Sequence, residues 1–81
     1  MENYDKAVGF IIQQRRRQLR LTQTQLGKKV GLAYSTIGCY ENGIRGMSIG
    51  TFFKICNALS LDPNEVQKEV EQMMLTSNDV S

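Results

Sequence analysis

The stretch TQTQLGKKVGLAYSTIGCYENG, from Thr22 to Gly43, constrains this chain most, because it specifies two short helices and the turn between them. The Thr22 hydroxyl can accept the backbone N–H of Gln25 while the Gln25 side chain reaches back to Thr22, a reciprocal arrangement that starts a helix. Leu26 and Val30 lie four apart on one face, and Gly31 can take a positive φ and stop the run. A further helix is expected from Ala33 or Tyr34 to Tyr40 or Glu41, with Ile37 and Tyr40 inward and Tyr34, Ser35, Gly38 and Cys39 outward. Asn42 and Gly43 then end it. Gly38 in mid-helix costs about 1 kcal/mol against alanine and Ala33 is a poor cap, so this helix depends on packing.

The flanks read as three more helices. Val8, Ile11, Ile12 and Leu19 form the apolar stripe of a helix from Lys6 to Leu19, leaving Arg15, Arg17 and Gln18 outward, after a polar arm from Met1 to Asp5. Ser48 can cap a helix through Leu59 whose apolar positions are Ile49, Phe52, Ile55, Cys56 and Leu59. Asp62 as cap, Pro63 at the first helical position and Glu65 as the reciprocal partner open a fifth helix that reaches about Met74. Its stripe of Val66, Val70, Met73 and Met74 is longer than one small core needs, so these four are expected to form a dimer interface. Residues 1–75 make one all-α domain, and residues 76–81 read as a disordered tail.

Charge supplies the first functional clue. Residues 6 to 54 hold nine Lys or Arg against the single acid Glu41, a net +8, whereas the flanks are acidic, at −2 before and −4 after. Such a basic block points to a polyanion at one face, although the run Arg15, Arg16, Arg17 alone serves equally as a solvated surface. There is no His, no metal-ligand cluster and no glycine-rich phosphate loop, so neither an enzyme nor a metal, cofactor or small-molecule ligand is expected. Cys39 and Cys56 fall inside helices rather than in a disulfide framework, no apolar run approaches a membrane span and no leader is evident, so a cytoplasmic protein is expected.

Two short helices joined by a turn containing Gly, here Gly31 to Ala33, fit either an αα-hairpin or a helix-turn-helix whose second helix enters the major groove. The charge distribution turns the reading towards nucleic acid. Val8-Gly9, then QQRRRQLRLTQTQLGKKVGL, then STIGCYENG, over residues 8 to 66, resembles the lambda-repressor-like (Cro/repressor, XRE-type) helix-turn-helix family. That resemblance implies a compact five-helix bundle that binds double-stranded DNA, commonly as a homodimer.

By position, the resemblance implies phosphate contacts from Gln23, from Asn42 and the backbone amides through Gly43 to Arg45, and from Arg45 itself. Base reading falls to Tyr34, Ser35 and Cys39, with Ala33 at the edge. None of these is an Arg, Asn or Gln suited to bidentate base recognition, so contacts, water and DNA shape are expected to carry specificity. The resemblance also pairs Arg16 with Glu41 as a structural ion pair, and Arg20 stands where such chains often have glycine. The expected function is a repressor on a palindromic operator, with an antitoxin that represses its own operon or a protein-interaction adaptor as alternatives.

Overall fold

The computed structural model describes the backbone of residues 3–80 and the side chains of residues 3–75, which fold into five helices: α1 (Tyr4–Gln18), α2 (Gln23–Val30), α3 (Tyr34–Glu41), α4 (Ile49–Ala58) and α5 (Pro63–Val80). The starts are capped by side chains in four of them, Asp62 serving α5. Asn3 accepts from Lys6 N at 2.8 Å and Ser48 from Thr51 N at 3.2 Å. At Thr22 both halves of the reciprocal cap form, Gln25 N to Thr22 Oγ1 at 3.0 Å and Thr22 N to Gln25 Oε1 at 2.8 Å. α3 has no side-chain cap at Ala33, so packing must hold its first turn.

One core joins all five helices. Ile11 and Ile12 from α1, Leu26 from α2, Ile37 and Tyr40 from α3, Phe52, Ile55 and Cys56 from α4, Leu59 just beyond it, and Val66 and Val70 from α5 are all buried. α1 packs on α3 and α5, and α2 on α3 and α4, so α2 and α3 are braced from behind by α4 and α1. Each large apolar side chain so buried stabilises the fold by about 1.5–3 kcal/mol before conformational entropy is charged against it.

Several expectations need correction. Val66 and Val70, expected at a dimer interface, are 2% and 0% exposed within their own chain: the core of a five-helix bundle this small claims them first. Met73 and Met74 are half-buried against that same core. α5 does not stop near Met74 but runs to Val80, so the backbone of residues 76–80 is helical; Ser81 lies outside the described residues. At the other end Tyr4 and Asp5 belong to α1, with Asn3 as cap; Met1 and Glu2 lie outside the described residues.

Two apolar stripe positions also face solvent. Leu19 follows the last residue of α1 and is 40% exposed, and Ile49 opens α4 before the helix reaches the core and is 69% exposed. Arg15 departs in the opposite sense, being half-buried with Nε donating to the Leu59 carbonyl at 2.9 Å, which ties α1 to the end of α4. Asp62 Oδ1 accepts from Asn64 N at 3.0 Å, while Glu65 turns to Lys68, 3.7 Å away, rather than back to the cap. Among the described residues no helix is long and apolar enough to cross a membrane, and no cluster of His, Cys, Asp and Glu could hold a metal.

Candidate nucleic-acid interface

The surface of interest is built on the turn between α2 and α3. Gly31 closes α2 with φ +76°, a left-handed conformation that glycine adopts without steric cost, and Leu32 N donates to Gly27 O at 2.8 Å. The chain then re-enters helix at Tyr34, and Ile37 and Tyr40 anchor α3 in the core. The opposite face of α3 is left to solvent: Tyr34 is 62% exposed, Ala33 and Ser35 are exposed, and Cys39 is partly so. That face carries no charge and presents an aromatic ring, a hydroxyl and a thiol.

The α3 end of this surface is held by a buried ion pair. Arg16 Nε meets Glu41 Oε2 at 2.6 Å and Arg16 Nη2 meets Oε1 at 3.0 Å, with the Glu41 side chain wholly buried. Arg16 Nη1 donates in addition to the Leu21 carbonyl at 2.8 Å, so one guanidinium ties α1 to the end of α3 and to the segment before α2. The bond from Glu41 raises the Arg16 pKa, burial pulls it down by less, and the Glu41 charge adds to the rise. Arg16 therefore stays charged, and the strength of the pair comes from two-point geometry in a dry site.

Gln23 opens α2 and is partly exposed, with Nε2 donating to Glu41 Oε1 at 3.2 Å. Asn42 and Arg45 are exposed beyond α3, and the Arg45 guanidinium lies 5.9 Å above the Tyr40 ring, a cation–π contact that orients it. The backbone amides here are largely engaged within the chain. The N–H groups of Asn42, Gly43 and Ile44 already donate to the carbonyls of Gly38, Tyr40 and Cys39, at 3.0, 3.2 and 3.0 Å. Gly43 serves the turn instead: its φ is +70°, and a Cβ there would stand 2.4 Å from Lys6 Cγ.

This packing reveals residues that the sequence pattern missed. Lys6 lies in α1, far from Gly43 in sequence, but its stem rests against that turn and its side chain is exposed. Gln13, also on α1, donates to Glu41 Oε1 at 3.4 Å. Neither carries a local signal, because each matters only through where α1 crosses α3. Chemically, the assembled surface offers amide and cationic donors around the C-terminal end of an uncharged helix face, groups suited to a phosphate backbone beside a groove.

Comparison with known proteins agrees with this architecture. The Helix-turn-helix family model matches residues 12–66. The chain is 33% identical over 60 residues to the uncharacterized HTH-type transcriptional regulator y4wC of Sinorhizobium fredii, covering 74% of this chain and 42% of that protein. It is 44% identical over 46 residues to antitoxin HipB of Escherichia coli, covering 57% of this chain and 49% of HipB. The chain thus spans about half the length of the curated relatives it matches. Among solved structures, the clp gene regulator ClgR of Corynebacterium glutamicum superposes with TM-score 0.88 at 18% identity, over 96% of this chain and 83% of that one. The restriction-modification controller protein C.AhdI of Aeromonas hydrophila does so with TM-score 0.71 at 28% identity, over 82% and 99%. With its turn, its capping pattern and its Arg16–Glu41 pair in place, the chain belongs to the lambda-repressor-like (Cro/repressor, XRE-type) helix-turn-helix family of DNA-binding transcription regulators.

Proposed function

We propose that this protein is a sequence-specific double-stranded DNA-binding regulator, a repressor that binds a palindromic operator as a homodimer with α3 in the major groove. The observation that carries the reading is the exposed, uncharged face of α3 with donors gathered around its C-terminal end: Gln23, whose amide reaches Glu41; Asn42 and Arg45, just beyond the helix; and Lys6, whose stem rests on the turn at Gly43. In this reading those four side chains hold phosphates, while Tyr34, Ser35 and Cys39, with Ala33 at the edge, meet base edges, thymine methyls and sugars. Because the reading face lacks Arg, Asn and Gln, specificity leans on van der Waals contact, bridging water and DNA shape. With Val66 and Val70 committed to the monomer core, the homodimer must use other surface, and exposed Leu75 beside Met73 and Met74 is one such apolar end.

Selection of bound sequences from a random duplex pool tests this directly. A palindrome with half-sites about one helical turn apart, roughly 34 Å, is expected for a symmetric dimer. Absence of enrichment would favour a protein-interaction adaptor on the same fold. Tyr34→Ala and Cys39→Ala should weaken the selected site more than random DNA, whereas Arg45→Ala should weaken both and flatten the salt dependence by about one unit. The likeness to antitoxin HipB supports a second reading, an autorepressor of a toxin-antitoxin pair, for which an adjacent toxin gene is the discriminating observation.

A further inference from the structure

Glu41 does more than neutralise Arg16. Its Oε1 accepts from three donors at increasing distance, Arg16 Nη2 at 3.0 Å, Gln23 Nε2 at 3.2 Å and Gln13 Nε2 at 3.4 Å, while Oε2 is taken by Arg16 Nε. The two-point grip of Arg16 and the burial of the carboxylate make Glu41 a fixed acceptor, and the Gln23 amide is the mobile group that must orient to it. The amide also packs over Gly38, 3.6 Å from where a Cβ of that residue would stand, which sets it against the outer face of α3.

A primary amide has two N–H donors and one carbonyl acceptor. With one N–H given to Glu41, the carbonyl is turned away from the carboxylate and the second N–H is fixed in direction. We propose that Glu41 is a positioning residue for DNA binding, orienting the Gln23 amide so that its remaining N–H meets a backbone phosphate. The inference rests on the reading of Gln23 as a phosphate contact. It assigns the ion pair a second consequence: without the carboxylate the amide can rotate, and its donor is no longer aimed before DNA arrives.

A double-mutant cycle on DNA affinity separates positioning from scaffolding. Gln23→Ala in the native background should weaken binding by about tenfold, the scale of a lost hydrogen bond to a charged group. The apolar pair replacement Arg16→Met/Glu41→Leu, with its melting temperature checked, should lose a similar factor, and adding Gln23→Ala to it should cost little more. Full affinity in the pair replacement, or an undiminished Gln23→Ala effect within it, would overturn the proposal. No effect of Gln23→Ala in the native background would instead remove the underlying phosphate reading. Should the replacement not fold, the native protein still decides the matter by the two Gln23 side-chain amide proton resonances. On adding duplex DNA the carboxylate-bonded proton should hold its shift while the other moves, and a shift of both to free-amide positions would refute the assignment.

Discussion

Glu41→Ala removes a side chain that is wholly buried and accepts four hydrogen bonds. Deleting the carboxylate relieves its own desolvation cost, so the loss does not equal the attraction between the charges. What remains is the Arg16 guanidinium, with only 9% of its side chain exposed and one bond left, to the Leu21 carbonyl. Gln13 and Gln23 are partly exposed and can turn to water, so they add little. The stranded charge dominates, at about 3 kcal/mol or more. An 81-residue domain has roughly 4–12 kcal/mol in total, and each kcal/mol is worth about 4–8 °C at this size, so the melting temperature should fall by at least about 12 °C. Urea and thermal unfolding followed by circular dichroism measure this, at low and high salt, because a buried pair is screened far less than a surface one. Arg16→Met/Glu41→Leu should recover most of the loss by removing both charges together. A Glu41→Ala loss below about 1 kcal/mol, a loss that vanishes in salt, or a pair replacement as unstable as the single variant would refute the reasoning.

Backbone geometry and thiol burial give three further predictions. Arg20 follows α1 with φ +59°, a conformation that costs a side-chain-bearing residue about 1 kcal/mol, so Arg20→Gly should raise the melting temperature by a few degrees; a lowered one would mean that its side chain contributes more than the strain costs. At Gly9 an added Cβ would stand 2.2 Å from the Tyr40 carbonyl and 2.6 Å from that of Glu41, both backbone. Helix propensity favours alanine there by about 1 kcal/mol, so a Gly9→Ala variant less stable than native in urea shows that close approach of α1 to α3 outweighs propensity. Burial, aided by the charge of Asp62, pushes the Cys56 thiol up to about 11 from an ordinary 9.0. Between those values the unfolded chain binds fewer protons than the folded one, so stability should fall as pH rises from about 9 to about 11, and Cys56→Ala should flatten that slope. Native protein treated with iodoacetamide near pH 8 should label Cys39 and spare Cys56.

The candidate site was legible where its signals are local. Thr22, Gln25 and Gly31 mark helix ends within a few residues, and the positions of Gln23, Tyr34, Ser35 and Cys39 on their faces follow from helical periodicity. Contributions from distant segments were not legible. Lys6 enters only because α1 crosses the turn at Gly43, and Gln13 only because Glu41 Oε1 has capacity beyond Arg16. Pattern also cannot show that the α3 carbonyls, left without partners at the helix end, take the N–H groups of Asn42, Gly43 and Ile44.

By itself the sequence determined that five helices would form and roughly where they start, because caps, glycine stops and apolar spacing act over three or four residues. It also determined the basic centre and acidic flanks, which no folding can alter. Tertiary structure alone decided how the apolar residues are shared out. Val66 and Val70 read as surplus on a lone helix, but α1 and α5 pack together and enclose them, whereas Leu19 and Ile49 keep helical spacing and yet stay largely exposed at the end of one helix and the start of another. Burial is a property of what lies opposite a face. Periodicity can identify the face, but only the packed bundle supplies its partner.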